Sequence, residues 1–282
     1  MAFPPDLFII GAQRSGTTSL SALLDQHPSV VLSTPKEPDF FSVNFEQGLG
    51  WYRARFRRLD AVLIDASVSY TMANPVPTSH ELPDMVPRLI HQFSPGARFI
   101  YLVRDPAERC HSAYWHDVRA GRENRSLRAA VEQSAYYNMA SYYYRQITPF
   151  LQYFPLDRFL ILRFEDFAKQ SLKVARDCLR FAGLDDSGIA LQPENKNQSF
   201  LYNSFGRKLR QVLGEDRLQL VSRVAANTLP AGLHPLAKGL ITRPIPALTA
   251  DDRVWLNRQF AEDAAAFAKL TGLSVTGRPA AA

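Results

Sequence analysis

Leu7-Phe8-Ile9-Ile10-Gly11-Ala12-Gln13-Arg14-Ser15-Gly16-Thr17-Thr18-Ser19-Leu20 decides the fold. Its first four residues form a short apolar run with β-branched members, ended by glycine, which is the pattern of a buried strand. From Ser19 to Gln26, Leu20, Leu23 and Leu24 recur at i, i+3 and i+4, the spacing of a helix with one apolar face. Strand, glycine-bearing loop and helix in that order aim free backbone N–H groups and the positive end of a helix dipole at one point. That arrangement suits an anion. The glycines match the nucleoside-triphosphate loop Gly-x-x-x-x-Gly-Lys-Ser/Thr, but Thr17 stands where its lysine would reach the β/γ-phosphates. The loop carries its cation earlier, as Arg14, and offers hydroxyls at Ser15, Thr17, Thr18 and Ser19. Taken alone, the same residues also fit an ordinary strand–turn–helix with a capping Ser15 or Thr17 and a solvated Arg14.

Outward from this segment, Val30–Leu32, Ala61–Ile64, Arg98–Val103 and Phe159–Leu162 read as further buried strands. Helical stretches are expected at about 80–93, 107–120, 138–153 and 171–182. Strands alternating with helices predict parallel pairing and an α/β three-layer sandwich around a central, mainly parallel sheet. Ligands of such sheets bind beyond the carboxyl ends of the strands, where the polar clusters after Ile10, Leu32, Ile64 and Val103 fall. The pattern weakens from 186 to 248 and resumes as a helix near 249–271, with a frayed tail over 275–282. With no repeat, low-complexity tract or interdomain linker, residues 1–282 are expected to form one domain.

Composition narrows the class. The chain has 282 residues, 46% of them hydrophobic and 21% charged, which excludes a disordered or collagen-like protein. Lys and Arg number 33 against 27 Asp and Glu, a net +6 that suits anionic ligands without choosing among them. A basic stripe with interleaved aromatics is missing, so nucleic acid is not expected as a partner. The only two cysteines, Cys110 and Cys178, could make one bridge at most, which favours a reducing compartment. No apolar run is long enough to span a bilayer, and the start reads as a strand and not as a signal peptide. These features together predict a cytoplasmic location.

A second element strengthens the anion site. Arg104-Asp105-Pro106-Ala107-Glu108-Arg109-Cys110-His111-Ser112 follows its strand directly, with Pro106 suited to a first helical turn and Ser112 about two turns on. Arg104 and Ser112 could hold another phosphate through charge-assisted bonds. A local ion pair at a helix start is the plainer alternative.

Together these residues resemble the sulfotransferases that use 3′-phosphoadenosine-5′-phosphosulfate (PAPS). Gln13–Leu20 looks like that family's 5′-phosphosulfate loop, and Arg104–Ser112 like its 3′-phosphate element. The likeness is nearest to the glycan branch, with its heparan sulfate N- and 3-O-sulfotransferases. It is carried there by Lys36-Glu37-Pro38-Asp39-Phe40-Phe41, Gly48-Leu49-Gly50-Trp51-Tyr52, Asp65 with Tyr70, Tyr153–Phe159 and Phe164–Phe167. It runs in order over about residues 6–185. The chain departs from the pattern in having Arg14 where many members have lysine, Ser42 after the Phe-Phe pair, and Ala66 where the 3-O branch has lysine. The last departure argues against a heparan-type acceptor. A late family loop near the adenine aligns only loosely with Asn195–Phe200, where Arg207 and Lys208 could supply charge.

The resemblance implies in-line transfer of a sulfuryl group to a hydroxyl or amine of a glycan, glycolipid or natural product. Adenosine 3′,5′-bisphosphate (PAP) is left, and no metal is required. Arg14, Ser15, Gly16, Thr17, Thr18 and Ser19 would hold the 5′ end, and Arg104 and Ser112 the 3′-phosphate. Glu37 would be the general base if burial makes it basic; an exposed loop carboxylate paired with Lys36 is the plainer alternative. Asp65 would be a second candidate base or orient the acceptor, with a turn-capping role as its alternative, and Tyr70 would lie near the acceptor. A non-catalytic PAP-binding module and a P-loop kinase-like nucleotide enzyme are the alternatives. His27, His111 and His116 read as packing or helix-end residues, Glu165-Asp166 as a helix cap, and the tyrosines at 136, 137 and 142–144 as helix core and rim.

Overall fold

The computed structural model describes residues 3–72, 84–186, 191–192, 200–202 and 242–276. In chain order the first part runs β1 (Leu7–Gly11), α1 (Thr17–Leu24), β2 (Val30–Leu32), α2 (Gly48–Arg53), β3 (Val62–Asp65), α3 (Met85–Phe93) and β4 (Arg98–Val103). Then follow α4 (Pro106–Ala120), α5 (Leu127–Gln133), α6 (Tyr136–Met139), α7 (Tyr143–Ile147), β5 (Phe159–Arg163), α8 (Phe164–Lys169) and α9 (Ser171–Phe181). The last described elements are β6 (Phe200–Tyr202), β7 (Thr242–Pro244) and α10 (Ala250–Thr271). Residues 195–199 of the loosely aligned loop, Arg207, Lys208, the expected helical residues 80–83 and the tail from 277 lie outside the described residues.

Five strands form one all-parallel sheet in the order β2-β3-β1-β4-β5. Alternation along the strands sorts their side chains onto two faces. Leu7, Ile9, Val62, Ile64, Ile100 and Leu102 pack against Leu20, Leu23 and Leu24 of α1 and Val174, Ala175 and Leu179 of α9. Phe8, Ile10, Leu63, Phe99, Tyr101 and Phe159 face the other way, onto Phe40, Phe41, Tyr52, Tyr143, Ile147 and Phe267. The result is the expected three-layer α/β arrangement. Phe8, Phe99 and Phe159 are in direct register on β1, β4 and β5 and stack at centroid spacings of 5.8 and 4.8 Å. This aromatic ladder fixes the relative height of the strands whose ends carry the loops described below.

The helix expected over 138–153 is broken into α6, α7 and a 3-10 turn at Phe150–Gln152. Pro149 cannot continue a helix. The earlier break has a tertiary cause: Ser141 Oγ donates to Pro106 O at 2.9 Å and accepts from Arg109 Nε at 2.6 Å. Arg109 is fully buried and also donates to the Tyr137 carbonyl, so a cationic side chain serves as a strut between α4 and the α6–α7 corner. Cys110 and Cys178 are both buried and free. No helix among the described residues is long and apolar enough to cross a membrane.

Candidate active site

β1 is central in the sheet, between β3 and β4; the chain runs from β1 to β2 on one side, whereas β4 leads to β5 on the other. The crevice beyond the carboxyl ends of β1 and β4 is therefore the topological switch of the sheet. It holds both elements singled out in the sequence. Gly11 closes β1 at φ +151, and a Cβ there would lie 2.3 Å from Thr71 Oγ1, which itself donates to Ile10 O at 2.6 Å. Gly16 precedes α1 at φ +88, and its Cβ would lie 3.1 Å from the Phe164 ring. The second glycine is thus required by its left-handed backbone and by packing on α8, more than by open space for a ligand. Among the described residues no side chain caps the start of α1, which leaves its first N–H groups able to serve an anion.

Arg14 sits at φ +66, a conformation that is uncommon for a non-glycine residue and that concentrates at functional sites. Its Nε donates to Ser112 Oγ at 3.4 Å, and its carbonyl accepts from Arg104 Nη1 at 3.3 Å. Residues separated by 98 and 90 positions thereby form one cluster. Burial, then the charges of Arg104 and Arg119, lower the pKa of the Arg14 guanidinium from its ordinary value, yet arginine remains a cation. Among the described residues no carboxylate pairs with Arg14. Ser15 Oγ is fully buried and has no hydrogen-bond partner among the described residues. A hydroxyl, an arginine and a helix start without such partners among the described residues, gathered in one loop, form a donor set able to bind an oxyanion.

Arg104 is held on every side. Tyr143 Oη donates to its carbonyl at 2.7 Å and accepts from its N–H at 3.2 Å, while the guanidinium lies 4.7 Å from the centroid of Phe164 and 3.6 Å from Glu108. Asp105 meanwhile accepts from Glu108 N at 3.0 Å, so the Arg-Asp-Pro run caps α4 as well as presenting a cation. Glu165 does not cap its own helix; it accepts from Asp105 N at 3.0 Å and ties α8 to the start of α4. Tyr143 and Phe164 both lie in stretches noted in the sequence, but their contacts with Arg104 were not readable there, because both act across the fold.

The third wall is the segment after β2. Lys36 Nζ donates to Glu37 Oε1 at 2.7 Å and to Thr17 Oγ1 at 3.2 Å, placing both residues at the start of α1. Glu37 was expected to be made basic by burial. Its side chain is 37% exposed and paired with Lys36, which is the plainer alternative.

Asp65 and Tyr70 differ more from expectation. Both are buried, and Asp65 accepts from Tyr52 Oη at 2.6 Å, Tyr70 Oη at 2.7 Å, Ser67 Oγ at 2.6 Å and Ser67 N at 3.0 Å. With its oxygens so engaged, Asp65 offers no surface to an acceptor, and the same holds for Tyr70. Their hydroxyl relays end on the segment after Glu37: Tyr70 Oη accepts from Phe41 N at 3.2 Å, and Ser67 Oγ from Asp39 N at 2.9 Å. Asp65 thus orders the backbone that follows Glu37. Burial pushes its pKa up to about 6 against those donors.

His27, His111 and Tyr136 have partners within the fold. His27 Nδ1 accepts from Ser29 N at 3.0 Å, which leaves Nε2–H to donate to Asp185 O at 3.0 Å. His111 Nε2 accepts from Trp115 Nε1 at 2.7 Å. Tyr136 Oη accepts from Gln13 Nε2 at 2.8 Å, at the rim of the phosphate loop.

Fold and site define a parallel α/β protein with a cationic crevice at the carboxyl ends of its strands. The model of the sulfotransferase family matches residues 5–188, and the chain belongs to that family. Human heparan sulfate glucosamine 3-O-sulfotransferase 6 is 30% identical over 168 residues, covering 56% of this chain and 46% of the relative. Human bifunctional heparan sulfate N-deacetylase/N-sulfotransferase 3 is 22% identical over 98% of this chain and 30% of its own length. The chain thus spans less than half of either relative. A sulfotransferase from Alicyclobacillus acidocaldarius superposes with a TM-score of 0.67 at 21% identity, covering 96% of this chain and 97% of that one, and shares the fold.

Proposed function

We propose that the chain transfers a sulfuryl group from PAPS to a hydroxyl or amine of a glycan, glycolipid or natural-product acceptor. The observation that carries this reading is the Arg14–Ser112–Arg104 cluster, which joins the phosphate loop to the Arg-Asp-Pro element at the switch point of the sheet. Family membership supports it. The donor supplies an activated sulfuryl group on a phosphate leaving group. Arg14, Ser15, Thr17, Thr18, Ser19 and the N–H groups beside Gly16 would hold its 5′ end, and Arg104 with Ser112 its 3′-phosphate. Such transfer depends mainly on positioning and on stabilising charge at the leaving oxygen.

Glu37 would take the proton of the acceptor. It stands across Lys36 from Thr17, on the side of the loop facing the segment held by Asp65. Ala66 and Ser42 continue to favour an acceptor other than the heparan type.

The test is transfer of labelled sulfate from PAPS across a panel of glycans, glycolipids and phenols. On the acceptor found, Glu37→Gln should retain PAP affinity and lose at least about 100-fold in turnover, the range of a general base. Unchanged turnover would remove Glu37 from that role. PAP binding with transfer to no acceptor would favour the non-catalytic module.

A further inference from the structure

We propose that Lys36 is a second cation for the 5′ end of the donor and couples that end to the base; this rests on the sulfotransferase reading above. Arg14, the cation within the loop, is committed through Nε to Ser112 and through its carbonyl to Arg104. It therefore leans toward the Arg-Asp-Pro element. On the opposite side, Lys36 Nζ reaches Thr17 Oγ1 at 3.2 Å, at the first residue of α1, while also holding Glu37 Oε1 at 2.7 Å. Its stem is packed, with the side chain 18% exposed, and its carbonyl accepts from Ser33 Oγ at 2.9 Å, so the ammonium is aimed and not loose. An anion held by the first N–H groups of α1 lies within reach of that ammonium.

The assignment gives the two cations different tasks. Arginine at ordinary pH stabilises charge without giving up a proton, whereas an ammonium has three rotatable donors and a proton that can move. In the transfer, Glu37 takes the acceptor proton as the acceptor oxygen or nitrogen bonds to sulfur. The bond from sulfur to the 5′-phosphate oxygen breaks, and its electron pair stays on that oxygen. Lys36 donates a hydrogen bond to the oxygen gaining the charge. Because one ammonium contacts both Thr17 and Glu37, base and leaving-group stabiliser are set at a fixed distance from each other.

The test separates the 5′ end of the ligand from the rest. Dissociation constants of PAP and of adenosine 3′-phosphate, which lacks the 5′-phosphate, are measured on wild type, Lys36→Gln and Lys36→Arg. Lys36→Gln should lose roughly tenfold or more on PAP, the size of a hydrogen bond to a charged group, and less than about twofold on adenosine 3′-phosphate. Lys36→Arg, which keeps the charge, should recover most of the loss. Equal losses on both ligands would mark Lys36 as merely structural, and no loss on PAP would remove it from the site; either result overturns the proposal while leaving the cofactor site intact. A wild type that binds PAP no better than adenosine 5′-phosphate would instead overturn the underlying reading, and this inference with it.

Discussion

Arg104 carries the discrimination proposed for this site, and Tyr143 is the residue that holds it. A single phenol bonds both the N–H and the carbonyl of Arg104, at 3.2 and 2.7 Å. Tyr143→Phe leaves the ring packed against Tyr101 and Phe267 and removes only these bonds. Its expected cost is about 1–2 kcal/mol in unfolding free energy, since two buried backbone groups lose their partner, together with weaker PAP binding. Chemical denaturation and calorimetry check the two parts. A variant as stable as wild type would show that the phenol does not hold the strand end. Gly16→Ala is expected to be worse than a usual glycine replacement. It combines strain at φ +88 with a contact of 3.1 Å to Phe164, so a loss of about 1–3 kcal/mol should appear in the same experiment. The residue types of the anion site were legible in sequence, because glycine, arginine and hydroxyl spacing follow from local chemistry. The roles of Tyr143 and Phe164 and the twofold bonding of Lys36 were not, because each acts across a distance that spacing does not encode.

At the scale of elements, the segment from Glu37 to Ser42 is ordered from beneath. Asp65 at the end of β3 fixes Tyr70 and Ser67, and these fix the backbone N–H groups of Phe41 and Asp39. The sequence reading had Asp65 and Tyr70 beside the acceptor; they are one layer lower, because the strand carrying Asp65 ends inside the core and not at its rim. The raised pKa of Asp65 has a sign that can be tested. The folded protein binds this proton more tightly than the unfolded chain, so its stabilising contribution is complete below about pH 4 and is lost as pH rises through about 6. A shift from 3.8 to about 6 corresponds to about 3 kcal/mol over that window. Measured against pH, the stability of wild type relative to Asp65→Asn should therefore fall between pH 4 and 7. Parallel curves would contradict the assignment. The boundaries of the five strands in the main sheet were legible to within about a residue, whereas β6, β7 and the corner at Ser141 were not. A serine drawn to Pro106 and Arg109 breaks a helix that local periodicity would continue.

The whole molecule explains why loops so far apart in sequence share a site. Parallel order β2-β3-β1-β4-β5 sends every strand's carboxyl end to one edge, and the Phe8–Phe99–Phe159 ladder locks three strands in register. The α/β class and the crevice at the switch of the sheet were legible because alternation of buried strands with amphipathic helices leaves few topologies. The acceptor was not legible, because its binding depends on surfaces assembled from several loops and not on any one motif.

The central claim is that the crevice distinguishes a nucleotide by its 3′-phosphate, and calorimetric titration of PAP against adenosine 5′-phosphate and ATP tests it most directly. Selective binding of PAP, weakened by about 1.5–3 kcal/mol in Arg104→Ala as expected for a bond to a charged group, is the predicted result. Equal affinity for all three nucleotides, or an Arg104→Ala variant that binds PAP as wild type does, would contradict it.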